Sequence, residues 1–324
     1  MNNSGNSKDK PIHEPVMVEE VLNYLNPESI KNGVFVDATA STGGHAVEIA
    51  RRLGSDGTFI GLDLDQNALE VAKDRLSGTP PRINLYRANY KNMDMALEAR
   101  GESNAVGILF DLGFSSFQID KPTRGFSFQH DGPLDMRMDQ KGGITAEDVV
   151  NKYSFEELKR IILTYGEERW ADGIARQIVD RRKEERISTT EQLVEVIETA
   201  IPEGEKARRK THPATKTFQA LRIAVNDELN NLDQGLETAF NCLQKGGVMV
   251  VISYHSLEDR KVKRFFAYKE KKCICPPDLP ICRCEKEAEV DILTNGAIRP
   301  SEAEIEKNPR ARSAKLRAVK KLVD

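Results

Sequence analysis

Asp111 closes an apolar run (Val106, Ile108, Leu109, Phe110) and opens roughly thirty residues of Gly, Ser, Asp, Arg and Phe that show neither a helical nor a strand period. A buried parallel strand reads this way when its carboxyl end opens into a site. A carboxylate there accepts a hydrogen bond from an exocyclic amine, and a ring from Phe114 or Phe117 stacks on the base that carries it. Ser115, Ser116 and Gln118 add hydroxyls and an amide, with a local turn as the serines' alternative role. Long ordered loops are usually functional. The apolar Phe126, Phe128, Leu134 and Met136 argue against a disordered linker.

A second set lies at 37–45, where Gly43, Gly44 and His45 follow a short apolar run. Glycines at a strand-to-helix turn let a ligand approach the backbone and the helix N-terminus. Asp63 ends the next strand, where an acid typically takes ribose hydroxyls. The plain alternative is a tight turn, with Asp63 capping the next helix. Both G-x-G-x-x-G and the phosphate loop G-x-x-x-x-G-K-[ST] are absent. An adenosine cofactor without a pyrophosphate needs neither, which points to S-adenosylmethionine. Its sulfonium makes the methyl electrophilic, so the protein has only to align a nucleophile and accept a proton.

Three further clusters carry polar chemistry. Ser253, His255 and Asp259 follow another apolar run, but no G-x-S-x-G elbow accompanies them. His255 is expected either in a structural hydrogen bond or on the substrate side. Lys216, Gln219 and Arg222 recur at i, i+3 and i+6, and with Arg208, Arg209 and Lys210 upstream they would grip phosphates; a solvated charged face is the alternative. Cys273, Cys275, Cys282 and Cys284 form two C-x-C pairs that would supply four thiolates to zinc. Knuckles usually space their cysteines C-x2-C or longer, so the expectation is an ordered, proline-stiffened loop with no metal. Cys242 sits in an apolar helix and reads as core.

Strands at 34–39, 58–63, 83–88, 106–110 and 246–253, alternating with helices, would position these residues on a doubly wound, mostly parallel sheet. Residues 13–25 read as an amphipathic helix, and 314–322 as a last strand. The alternation breaks over 139–213, where capping boxes at Ser154/Glu157 and Ser188/Glu191 precede apolar helical runs. A helix is expected over 217–243. The expected organisation is therefore a disordered lead-in over 1–10, a discontinuous domain of 11–138 with 214–324, and an inserted helical domain of 139–213.

The chain has 324 residues, 39% of them hydrophobic, which allows proper cores. No apolar run approaches the ~18 residues of a membrane span, and the first ten residues lack a signal-peptide core, so the expectation is a cytoplasmic protein. A net charge of −3 hides basic blocks at 206–210, 260–272 and 310–321. Arg310, Arg312, Lys315 and Arg317 lie in the last of these.

Arg124-Gly-Phe-Ser-Phe128, Gly132-Pro-Leu-Asp-Met-Arg-Met-Asp139, His212-Pro-Ala-Thr-Lys-Thr-Phe-Gln-Ala-Leu-Arg-Ile223 and Ser253-Tyr-His-Ser-Leu-Glu-Asp-Arg260 together resemble the bacterial 16S ribosomal RNA (cytosine-N4)-methyltransferases. The likeness extends from His13-Glu-Pro-Val16 to Asn308-Pro-Arg-Ala-Arg-Ser-Ala-Lys-Leu-Arg317. It implies a class I S-adenosylmethionine-dependent methyltransferase fold with an inserted helical domain. It further implies 16S rRNA within the small ribosomal subunit as partner, near the decoding centre, with the protein a monomer or homodimer. The family's cofactor contacts carry over to Gly43, Gly44, His45, Asp63, Tyr90, Asp111 and Gln118, with Asp111 also catalytic. Phe114, Ser115, Phe117, Arg124, Lys216, Arg222, His255, Arg310 and Arg312 are expected on the substrate side, and Lys315 and Arg317 on RNA phosphates. Two departures stand out: Ser41-Thr42 replaces the leading glycine of a G-x-G-G-H loop, and Phe117 stands where proline is usual. A nucleotide-dependent oxidoreductase and a non-catalytic RNA-binding assembly factor remain the rival readings.

Overall fold

In chain order, α1 (Val18–Leu25), β1 (Val34–Asp37), α2 (Gly44–Ala50), β2 (Thr58–Asp63), α3 (Gln66–Leu76), β3 (Arg82–Arg87), α4 (Met93–Glu98) and β4 (Ala105–Asp111) alternate. A helical stretch follows: α5 (Ala146–Lys152), α6 (Phe155–Gly166), α7 (Ala171–Glu184), α8 (Thr190–Ala200), α9 (Glu203–Lys206) and α10 (Thr215–Asn226). Then come α11 (Glu228–Cys242), β5 (Leu243–Ser253), α12 (Ser256–Glu270), β6 (Val290–Ile292), α13 (Glu302–Lys307) and β7 (Lys315–Lys321). This computed structural model describes residues 15–113, 119, 121–276 and 283–324. The lead-in over 1–10 lies outside them.

The strands form one seven-stranded sheet in the order β3-β2-β1-β4-β5-β7-β6. β1 to β5 pair in parallel, and β7 runs antiparallel between β5 and β6. The chain reverses its direction of progress across the sheet between β1 and β4. That is the switch point at which open α/β sheets open a crevice outside their strand ends. Near-continuous apolar strands make this possible, because helices cover both faces. Phe35, Phe59, Leu109, Val250, Ile252 and Leu316 are buried in one cluster with Ile49 of α2 and Leu76 of α3. Truncating Phe35 or Phe59, each at most 1% exposed, to alanine would cost about 3–5 kcal/mol.

Two compact units result, Met1–Gly113 with Gln234–Asp324, and Phe114–Asp233. The second unit extends beyond the expected insertion of 139–213 on both sides. The reason is packing: Phe126, Leu134 and Met136 from one side, and Ala214, Phe218 and Leu221 from the other, are buried in one cluster with Leu158, Ile162, Ile174 and Leu193. Asn226 ties the same segments together, donating to Met136 O at 2.8 Å and accepting from Met138 N–H at 2.7 Å.

Several elements shift from expectation. The first helix starts at Val18 rather than 13, after Met17 in a left-handed conformation (φ 56°). The helix expected over 217–243 breaks into α10 and α11 at Asp227, also left-handed (φ 49°). The box at Ser154/Glu157 forms as expected, whereas the second is built one residue later, by Thr189 and Gln192. The edge strand β6 spans only three residues, too few for a readable period.

Candidate active site

Three carboxylates stand at the carboxyl ends of neighbouring strands: Asp37 on β1, Asp63 on β2 and Asp111 on β4. Asp37 is 2% exposed. Burial pushes its carboxyl up to about 7, against the pull of His45 and the Thr39 amide and with added repulsion from Asp111 and Asp63. Burial likewise raises Asp63 to about 6, although the Asp65 and Ser41 amides oppose it. Asp63 accepts Ser41 N–H at 2.9 Å and Asp65 N–H at 2.7 Å. It is Asp65, not Asp63, that caps α3, through Asn67 N–H. Ser41 itself is left-handed (φ 47°), a conformation a glycine would adopt without strain.

A hydrogen-bond chain links β1 to β4. Asp37 accepts Thr39 N–H at 3.0 Å, and Thr39 Oγ1 accepts Asp111 N–H at 2.7 Å. The Asp111 carboxylate is held from two sides. Tyr254 O–H donates to its Oδ1 at 2.8 Å, and His45 Nδ1 lies 3.5 Å from its Oδ2. His45 Nε2 sits 2.8 Å from Val16 O. A carbonyl only accepts, so Nε2 donates there, and an ion pair through Nδ1 requires a ring protonated on both nitrogens. Burial first, and then the Asp111 charge, push the Tyr254 phenol well above its ordinary value. Tyr254 therefore stays a donor, and Asp111 stays the acceptor.

Glycines set the backbone around these acids. Gly43 precedes α2 with φ 82°, a turn that presents the helix N-terminus without a side chain over it. Past the third strand, Tyr90 packs edge-on against Phe110, with centroids 5.5 Å apart and planes at 70°. Gly235 of α11 backs that ring. A Cβ at position 235 would come within 2.4 Å of Tyr90 Cδ2, so no larger residue fits without moving Tyr90.

Ser253, His255 and Asp259 form no triad. Ser253 donates to Lys315 O at 3.4 Å. His255 caps α12 in a box with Glu258, its Nδ1 accepting Glu258 N–H at 3.4 Å and its Nε2 3.1 Å from Glu258 Oε1. Asp259 binds Lys315 at 3.0 Å and Arg317 at 2.8 Å. Burial opposes the shift, but these hydrogen bonds prevail and hold its carboxyl below the usual range. Lys315 and Arg317, expected on phosphate, are thus engaged by a carboxylate here. Arg310 and Arg312, on the short helical turn before β7, are exposed.

The helical unit rearranges the expected basic face. Arg222 is 7% exposed and forms a two-pronged ion pair with Glu228, both contacts at 2.8 Å. Lys216, which is exposed, donates to Glu167 O at 2.9 Å, and Gln219 donates to Tyr165 O at 2.9 Å. Both carbonyls lie at the C-terminal end of α6, where helix carbonyls lack intrahelical partners. Arg209 pairs with buried Glu168 at 2.7 Å. Arg124, 2% exposed, donates to Arg137 O at 2.9 Å and Met138 O at 3.1 Å. Arg124 and Arg222, expected on the substrate side, are buried here, their guanidiniums closing a loop and an interhelix corner.

A family model described as the MraW methylase family matches residues 10–322. The chain belongs to the MraW methylase family. It is 49% identical over 310 residues to the ribosomal RNA small subunit methyltransferase H of Symbiobacterium thermophilum, covering 96% of each chain. The protein of that name from Carboxydothermus hydrogenoformans is 50% identical over 310 residues, covering 96% of this chain and 98% of the relative. That from Clostridioides difficile is 47% identical over 311 residues, covering 96% and 99%. The fold is the class I methyltransferase fold, and the chain is a methyltransferase whose donor is S-adenosyl-L-methionine.

The residues present suit a member of this family. A row of three acids, two of them raised by burial, favours a ligand that brings positive charge, as a sulfonium and an ammonium do. The same row would repel a pyrophosphate. Phe114, Ser115, Ser116, Phe117, Gln118 and Cys282 lie outside the described residues. Two site residues escaped the sequence reading. Asp37 follows the same strand-end pattern as Asp63 and Asp111, and was recognisable from it. Tyr254 sits inside a quoted motif, but its reach to Asp111 depends on the pairing of β4 with β5. No helix among the described residues is long and apolar enough to cross a membrane.

Proposed function

We propose that the enzyme transfers a methyl group to the N4 amine of a cytidine in 16S ribosomal RNA, near the decoding centre and within the small ribosomal subunit. The names of the relatives support the RNA class. The observation that carries the chemistry is Asp111, a carboxylate at a strand end held as an acceptor by Tyr254. When bound, the cofactor supplies a methyl made electrophilic by its sulfonium.

Asp63 would take the ribose hydroxyls of that cofactor, Tyr90 would pack on adenine, and Gly43, Gly44 and His45 would line its approach, with Asp111 and Gln118 completing the contacts. An exocyclic amine of cytosine is a poor nucleophile, because its lone pair is delocalised into the ring. Asp111 accepting one N–H orients that lone pair and receives the proton as the new N–C bond forms. Phe114 or Phe117 would stack on the flipped base, beside Ser115. Exposed Arg310 and Arg312, with Arg260, Lys263 and Arg264 on α12, supply charge for RNA phosphates. The helical unit would add substrate recognition through exposed Arg208 and Lys210.

The test is transfer from labelled S-adenosylmethionine to small ribosomal subunits and, separately, to naked 16S RNA, with nucleosides resolved afterwards. Labelled N4-methylcytidine is the expected product. Label on cytosine C5, on a ribose or on another base would overturn the acceptor assignment. No transfer to either substrate, with cofactor bound, would favour the assembly-factor reading.

A further inference from the structure

The loop between α12 and β6 takes no part in the chemistry above, yet it gathers three sulfur atoms. Those of Cys273, Cys275 and Cys284 all lie within 4.8 Å of one another. Cys273 Sγ and Cys284 Sγ are 3.7 Å apart. Zinc–thiolate bonds of about 2.3 Å in a tetrahedron place sulfurs roughly 3.8 Å apart, so this pair already spans one edge. A disulfide would need about 2.05 Å, and would leave the third sulfur with no role.

The backbone is folded towards these sulfurs. Ile274 N–H donates to Cys284 Sγ at 3.3 Å, Cys275 N–H to Cys273 Sγ at 3.4 Å and Arg283 N–H to Cys275 Sγ at 3.4 Å. Outer-shell donors of this kind orient metal ligands. Burial does not explain the gathering: Cys273 is exposed and Cys275 and Cys284 are half-exposed, so collecting them removes little apolar surface from water. Lys271, Lys272 and Arg283 are exposed around them, and offset the negative charge of a multi-thiolate site.

We propose that Cys273, Cys275 and Cys284 bind a structural zinc ion that pins the loop between α12 and β6. A further donor fills the fourth position of the tetrahedron. Each Zn–S bond forms as a thiol releases its proton to solvent, so no redox partner is involved. The short C-x-C spacing that argued against a knuckle is overcome because Cys284 meets Cys273 and Cys275 across the loop rather than within one turn.

Metal analysis of the full chain, purified under reducing conditions without added metal, tests this directly. The expected result is about one zinc per chain. Zinc should be lost in Cys273→Ser and Cys284→Ser, and retained in Cys242→Ala, whose side chain is buried elsewhere. Chelator-stripped wild-type protein should take up cobalt(II) and show thiolate-to-metal charge-transfer absorption with the intense d–d bands of tetrahedral cobalt. This arm does not depend on how the variants fold. No zinc together with no cobalt uptake, a disulfide among these cysteines in freshly purified protein, or undiminished zinc in the Cys273→Ser/Cys284→Ser double variant would overturn the proposal.

Discussion

The strand ends of the sheet unit and the α10 helix of the helical unit both present polar residues in patterned clusters, and the structure uses them in opposite ways. At the strand ends, Asp37, Asp63 and Asp111 accept hydrogen bonds from nearby amides and a phenol. On α10, Lys216, Gln219 and Arg222 turn to carbonyls and a carboxylate of their own unit. The difference follows from backbone geometry. A parallel strand ending at the sheet edge aims its last side chain outward, beyond the layer of helices. A helix packed among helices meets their unpaired C-terminal carbonyls, and long donors satisfy them.

Breaking the buried pair should give the largest effect on stability. Arg222→Ala or Glu228→Ala leaves one buried charge without its partner, at about 3–5 kcal/mol. Thermal denaturation reads this, and methyl transfer per folded molecule should stay near wild type. A large loss of turnover with unchanged stability would return Arg222 to the substrate. Tyr254→Phe comes next. Removing one hydrogen bond to a charged group costs about 1.5–3 kcal/mol, so turnover should fall roughly 10- to 100-fold while the fold persists. Unchanged turnover would mean that Asp111 needs no such donor.

The strand-end acids also predict a pH response. Asp37 and Asp63 titrate at about 7 and about 6 in the folded chain, against an ordinary value of 3.8. Between these limits the folded state holds more protons than the unfolded state, so ligand-free stability falls as pH rises through the window. Cofactor binding runs the other way: a cationic ligand is held better once the acids ionise. Its affinity should rise about tenfold from pH 6 to pH 8, measured by calorimetry, and the cofactor-bound protein should lose less stability over that range. A flat affinity profile would detach the acids from the cofactor. The smallest effect belongs to the exposed arginines: Arg310→Ala or Arg312→Ala should each lower the salt slope of RNA binding by about 1. An unchanged slope would remove that turn from the RNA surface.

The same contrast explains what was legible in advance. Asp63 and Asp111 stood out because their apolar runs stop abruptly on an acid, and the glycine turn at 43–44 marked the strand-to-helix corner. Nothing in the sequence showed that Arg124, Arg222 and Lys315 have two carbonyls, Glu228 and Asp259 as partners. Periodicity shows that a side chain shares a face, not what stands opposite it. The domain boundary moved for the same reason. The loop over 121–138 has no period, and its burial with α6 and α10 is a tertiary fact.

The most direct test of the account is single-turnover methyl transfer to small subunits by Asp111→Asn at saturating S-adenosylmethionine, with cofactor affinity measured in parallel. The variant keeps the shape and one acceptor oxygen, but not the charge that receives the amine proton. The account predicts a fall of about 10²–10⁴-fold in the transfer rate, with cofactor still bound. A rate near wild type would contradict Asp111 as the group that receives the proton.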